Sequence, residues 1–283
     1  MVGAVLAFSL MAVGGRNVSG ELDTFEIMLY RSFVGVAIVF AVAFTKGTLR
    51  DVRFHHRRLH VMRNLLHFTG QNLWFLAIGL IPLAQVFALE FTSPLWALLL
   101  APLVLGERLT KVRVLAALVG FIGILIVARP TPDTVGIGIM AAAAAAIGFA
   151  GTALCTRRLT RTESLTSILV WMTVLQVIFG VIGAGYDGEI ALPSAAMWPW
   201  IFAIGAGGIT AHFCLTTALS IAPAAVVMPV DFARLPLIAV IAMVAYGETV
   251  DIWVFVGAAL IFSANYVNIL TETRKNRQIR QRM

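Results

Sequence analysis

The chain has 283 residues, 60% of them hydrophobic and only 12% charged, with a mean hydropathy of +0.92 and a formal net charge of +7. A soluble domain of this length leaves about a quarter of its unfolded surface in water. So few charges cannot cover that surface, which excludes an ordinary cytoplasmic enzyme, and the hydrophobicity excludes a disordered chain.

A membrane-spanning helix needs about 20 mostly apolar residues. Ten such windows follow one another: 2–20, 25–44, 61–81, 83–105, 112–128, 135–156, 165–185, 197–220, 222–246 and 250–270. The first has no Lys or Arg before it and no small-residue cleavage site, so it reads as a membrane helix rather than a signal peptide. Gly79-Leu80-Ile81-Pro82 and Ile221-Ala222-Pro223 read as tight turns between helices. The windows are too long for strands, and the alternating ten-residue segments of a barrel are absent. Cys155 and Cys214 lie in apolar stretches without metal-ligand spacing and read as packing residues.

Seventeen of the 21 Lys and Arg fall on one side of this arrangement, in the connections after windows 2, 4 and 6 and in the tail after window 10. The opposite connections carry Arg129, Arg16 and the acids Glu21, Asp23, Asp133, Asp187, Glu189 and Asp251. Basic residues collect in cytoplasmic loops, so both termini are expected in the cytoplasm. The surplus charge is then a marker of topology, with a secondary attraction to anionic lipid, and no nucleic-acid partner is expected. Trp198, Trp200 and Trp253 read as interfacial belt residues.

Shifting the chain by 141 residues overlays 69–107 on 210–248 with nine identities in 39 positions. Pro82 meets Pro223, Phe91 meets Phe232, Gly106-Glu107 meets Gly247-Glu248, and Glu90 meets Asp231. The repeat unit holds five spans, and an odd number inverts the second copy. Inverted repeats of this kind are characteristic of secondary transporters, with sites near the midplane between the halves. The expected fold is therefore an all-α integral membrane protein of ten transmembrane helices in two inverted five-helix repeats. The expected division is 1–130, 131–273 and a basic tail, 274–283.

The runs Pro82-Leu83-Ala84-Gln85, Phe91-Thr92-Ser93-Pro94, Leu105-Gly106-Glu107-Arg108, Gly120-Phe121-Ile122-Gly123 and Ala128-Arg129-Pro130 resemble the first repeat of the drug/metabolite transporter superfamily, EamA type. Pro223, Tyr246-Gly247-Glu248 and Gly257 match its second repeat. The resemblance implies ten helices in inverted repeats and transport of small organic solutes without an ATPase. Similar groups include YddG-like exporters of amino acids and importers of riboflavin or S-adenosylmethionine. The Pro-Leu-Ala-Gln and Phe-Thr-Ser-Pro-Leu runs look like the importer branch.

Ionisable residues inside spans are costly and are functional candidates. Glu90, Asp231 and Arg234 are the expected gating or proton-linked charges. Asp231 and Arg234 are three residues apart and can pair on one helix face; the pair either handles charge on a substrate or only stitches helices. Arg31 reads as a structural partner of Glu26 or of another helix. His67, Gln71 and Trp74 form one helical stripe suited to a cavity wall, and His212 takes the place of Gln71 in the second repeat. The candidate substrate-binding residues are Gln71, Trp74, Phe91, Trp96, Phe149, Trp171, His212 and Phe232. Pro94, Pro229 and Pro236 lie inside windows and permit bends. Glu107 and Glu248 end their spans against the helix dipole, so each is expected to accept hydrogen bonds from elsewhere.

No His-Glu-x-x-His, Asp-rich or P-loop motif is present, and His55, His56 and His60 sit in the most basic loop. No enzyme, metal or cofactor is expected. Lys46, Lys111 and Lys275 all lie outside the windows, which excludes a retinal Schiff base. The expected function is a secondary transporter of the cytoplasmic (inner) membrane that exports small metabolites, amino acids first, by alternating access. Import of riboflavin or S-adenosylmethionine is the alternative. The expected partners are a small-molecule substrate and the lipid bilayer, and the expected state is a monomer or weak dimer.

Overall fold

The computed structural model describes residues 1–105, 111–128, 136–221, 234–249 and 251–282. Its elements are α1 (Val2–Val18), α2 (Thr24–Thr45), a 3₁₀ turn (Thr48–Asp51), α3 (Arg57–Leu80), α4 (Leu83–Glu90), α5 (Ser93–Leu105), α6 (Lys111–Ala128), α7 (Ile137–Leu159), α8 (Leu165–Ala184), α9 (Trp198–Ile221), α10 (Arg234–Tyr246) and α11 (Ile252–Arg282). No strand occurs among the described residues. The protein is an all-α membrane protein. Thr24–Thr45, Ile137–Leu159, Leu165–Ala184, Trp198–Leu215 and Ile252–Thr271 are each long and apolar enough to cross a bilayer. Phe33, Phe44, Leu103, Leu118, Ile182 and Phe202 project outward, as a hydrocarbon solvent allows and water would not.

The helices pack as α3 on α7, α1 on α9, α2 on α8 and α6 on α11. Exchanging the halves of the chain turns the first pair into the second and maps the other two onto themselves. Lesser contacts obey the same exchange: α2 with α9 answers α3 with α8, and α5 with α7 answers α1 with α10. Small residues permit the closest crossings, where van der Waals contact replaces the hydrophobic drive that lipid cannot supply. A Cβ on Gly148 would stand 3.0 Å from Gly70 Cα in α3, and one on Gly257 would stand 2.6 Å from the Gly123 carbonyl in α6.

The fourth window, expected as one helix over 83–105, is divided into α4 and α5 at Phe91–Thr92. Pro94 is the cause. In a continuous helix its nitrogen would donate to the Glu90 carbonyl, and proline has no N–H. Ser93 Oγ donates to that carbonyl instead, at 2.6 Å. The Leu95 N–H turns to Thr92 O at 2.9 Å, and the Phe91 carbonyl it leaves accepts from Asn265 Nδ2 of α11 at 3.3 Å. Each group freed by the break thus has a named substitute, as a buried helix end requires. The tail expected beyond residue 273 continues α11 as helix to Arg282.

Candidate translocation site

The face carrying residues 46–63 and 157–163 is called the basic face below. Between the two faces, α2, α8 and α9 surround a small cavity of about 20 Å³ whose wall includes Arg31, Thr173, Gln176 and His212. Arg31 Nη1 donates to Gln71 Oε1 of α3 and lies 3.8 Å from Met11 Sδ of α1. No carboxylate pairs with Arg31 among the described residues. Glu26 is unavailable to it: its carboxylate accepts from Asp23 N in a capping box and from Ala191 N at 2.6 Å. Of the two partners expected for Arg31, Glu26 or another helix, the structure gives the second, Gln71 of α3.

His67 and His212 meet edge to face at 5.3 Å, with Phe8 against His212 at 5.7 Å and Phe149 against His67 at 6.3 Å. Neither nitrogen of the buried His67 ring has a hydrogen-bond partner among the described residues. A buried unsatisfied imidazole is costly, so this ring, packed behind the cavity-lining His212, holds unused polar capacity. Gln71, His212 and Phe149, all expected at the site, are thus brought together, with Arg31, His67 and Phe8 added to them.

The charges form a second cluster. Arg234 Nη2 is 3.1 Å from Glu90 Oε1, and Trp74 Nε1 donates to Glu90 Oε2 at 2.8 Å. The Arg234 guanidinium lies over the rings of Phe8, Phe87 and Phe91 at 4.7, 5.3 and 5.3 Å. The expected site residue Phe91 therefore faces a guanidinium, and Trp74 serves the partly buried carboxylate. Phe8 touches both clusters and joins them. Asp231 and Phe232 lie outside the described residues, as does Glu107.

Trp96 and Trp171 are placed elsewhere. Trp96 packs edge on against Phe121 of α6 at 5.0 Å. Trp171 stacks on Phe54 at 3.8 Å and donates to Arg53 O at 2.8 Å. Ser167 Oγ accepts from Arg53 N and donates to Asp51 O, each at 3.0 Å, and Glu163 accepts from His55 N and stands 3.7 Å from His60. The segment after α2 is thereby folded back against α8, beneath a buried layer of Arg63, Asn64 and Gln176. This lid closes the cavity toward the basic face.

The opposite face has its own latch. Glu248 Oε1 accepts from Arg16 Nη2 at 2.7 Å, Glu248 Oε2 accepts from Leu83 N at 2.9 Å, and Arg16 also donates to Ile81 O at 2.7 Å. Asn17 Nδ2 donates to Tyr246 Oη at 2.8 Å beside it. Glu248, expected to accept hydrogen bonds from elsewhere, caps the N-terminus of α4, whose preceding Pro82 has no side-chain cap to offer. An anion there also complements that helix's dipole.

The family model for the EamA-like transporter family matches residues 1–129 and 136–270. The chain belongs to this family. Among similar proteins, a riboflavin transporter of Brucella anthropi is 32% identical over 94% of this chain and 95% of its own. A riboflavin transporter of Rhizobium johnstonii is 30% identical over 98% and 92%. An S-adenosylmethionine uptake transporter of Rickettsia bellii is 25% identical over 96% and 92%. A solved crystal structure superimposes with a TM-score of 0.69 at 21% identity, over 95% of each chain, a likeness of fold alone. The chain is thus a transporter of the EamA type, with its polar and aromatic cluster lying between the hydrogen-bonded contacts of its two faces.

Proposed function

We propose that this EamA-like transporter takes up a riboflavin-class heterocycle across the cytoplasmic membrane. The observation that carries the reading is that, among the described residues, the Arg31 cation has no carboxylate partner and lies beside the amide of Gln71, with the His67 nitrogens left open. A flat neutral ring system with carbonyl and ring-nitrogen edges accepts from such donors and stacks on Phe8 and Phe149. A zwitterionic amino acid additionally needs a carboxylate for its ammonium group, and Glu90 is already held by Arg234 and Trp74. The amino-acid export expected from the sequence has no counterpart among the relatives described above, whose names support the import alternative. S-adenosylmethionine is the second reading, favoured by the Rickettsia bellii relative; its sulfonium charge opposes Arg31.

The basic face is taken as cytoplasmic, with both termini there, and residues 1–130 and 131–273 as the two repeats. The test is uptake into proteoliposomes of labelled riboflavin, S-adenosylmethionine and an amino-acid mixture in parallel. Saturable riboflavin uptake that Arg31→Gln and Gln71→Ala weaken supports the proposal. Flux of amino acids without flux of riboflavin overturns it.

A further inference from the structure

Away from the central cavity, the start of α3 and the α7–α8 connection enclose an open depression of about 700 Å³ on the basic face. Its rim carries Arg57 and Arg58 on one side and Arg158 and Arg161 on the other, with His55 and His56 beside them. The two sides come from different halves of the chain, so the fold gathers these cations; loop composition alone does not. None of the four arginines has a carboxylate partner among the described residues. Glu163, which lies between Arg161 and α8, is buried and turned to His55 N and His60. The first turn of α3 adds backbone N–H groups, because its preceding residue His56 makes no side-chain cap.

Four like charges around one concavity repel one another unless an anion joins them. Guanidinium groups match a phosphate in bidentate geometry. The floor is apolar: Leu59 and Met62 line it, and the exposed Met62 and Leu65 continue from it along α3 toward the outward apolar surface. A free phosphate has no use for that strip, whereas an acyl chain does. We propose that this depression binds the headgroup of an anionic phospholipid, its phosphate among the four arginines and a chain along Met62 and Leu65. A topological charge bias needs only that cations lie on this face; Arg50, outside the depression, represents that bias.

The test uses the full chain, purified in detergent and delipidated, titrated with short-chain phosphatidylglycerol or phosphatidylcholine and read by native mass spectrometry. Phosphatidylglycerol is expected to bind more tightly than phosphatidylcholine. Arg57→Gln/Arg158→Gln is expected to weaken it about 25-fold, about fivefold per charge, while Arg57→Lys/Arg158→Lys retains most of the affinity and Arg50→Gln all of it. Equal binding of the two lipids overturns the proposal. So does equal weakening by Arg50→Gln, or displacement by inorganic phosphate at the concentration where the lipid binds. Should the double variant not fold, Arg161→Gln alone carries the same test with a fivefold effect.

Discussion

Glu248 offers the sharpest test of how the two faces are controlled. Its carboxylate performs two tasks, pairing with Arg16 and capping α4 at Leu83 N. The side chains of Arg16 and Glu248 are 20% and 15% exposed, so the ion pair lies between a surface pair, about 0–1 kcal/mol, and a fully buried one. Discounted for that exposure it contributes about 1 kcal/mol, and the cap contributes about 1 kcal/mol more. Glu248→Ala removes both, about 2 kcal/mol or roughly a 30-fold shift in the equilibrium between latched and unlatched states. Glu248→Gln keeps an acceptor for Leu83 N and loses the charge, which leaves a shift of about fivefold. The assay is labelling of Ala84→Cys by a membrane-impermeant maleimide in a background lacking Cys155 and Cys214. Ala84 is buried in the first turn of α4, so its thiol reacts only when the latch is open. Labelling is expected to quicken about 30-fold with Glu248→Ala and about fivefold with Glu248→Gln. Unchanged labelling in a folded Glu248→Ala protein would refute the reasoning, as would equal effects of the two substitutions.

Arg234→Met removes a partner of the partly buried Glu90, whose side chain is 14% exposed, and the cation over three aromatic rings; discounted for that exposure, it is expected to destabilise by about 1–3 kcal/mol, read from thermal unfolding in detergent. Trp171→Ala strips the stack on Phe54 and the bond to Arg53 O, so trypsin cleavage between residues 53 and 58 is expected to accelerate about 100-fold, corresponding to ~3 kcal/mol. Trp171→Phe keeps the stack and is expected to cost only the hydrogen bond, about 1 kcal/mol, in the same cleavage assay. Gly148→Leu drives a side chain into the backbone of α3 at Leu66 and Gly70, and loss of monodisperse protein on size exclusion is the expected outcome.

The helices were legible because the chain must supply a long apolar run for each crossing, and the inverted repeat was legible because its Pro, Phe and Gly-Glu landmarks recur in register. The break in the fourth window was half legible. Pro94 announces that one helical hydrogen bond is missing, but Asn265, which satisfies the Phe91 carbonyl, is far away in sequence and carries no local signal. The polar stripe of α3 was read from His67 to Trp74, yet its helical spacing extends back through Asn64 and His60, both buried. Following that spacing would have found the layer above the lid. Asp23-x-x-Glu26 before an apolar run is a capping-box pattern, and it would have shown Glu26 committed to a helix start and unavailable to Arg31. Trp171 sits among apolar neighbours in its own window, and nothing nearby in sequence shows that its partner is Phe54 in a loop. The pairing of Glu248 with Leu83 N joins the two repeats, a contact that spacing along the chain cannot reveal.

The break between α4 and α5 turns one crossing into a lever with a short arm. Eight residues of α4 span about 12 Å. A tilt of about 20° at the Phe91–Thr92 joint therefore carries the Leu83 end through ~4 Å, given a rise of 1.5 Å per residue. That travel exceeds what the bond from Leu83 N to Glu248 can stretch. The same arm ends at Glu90, beside the joint, where the displacement is smallest. The latch can thus swing while the partly buried Glu90–Arg234 pair keeps its geometry, and no full-length helix has to move for the opposite face to part.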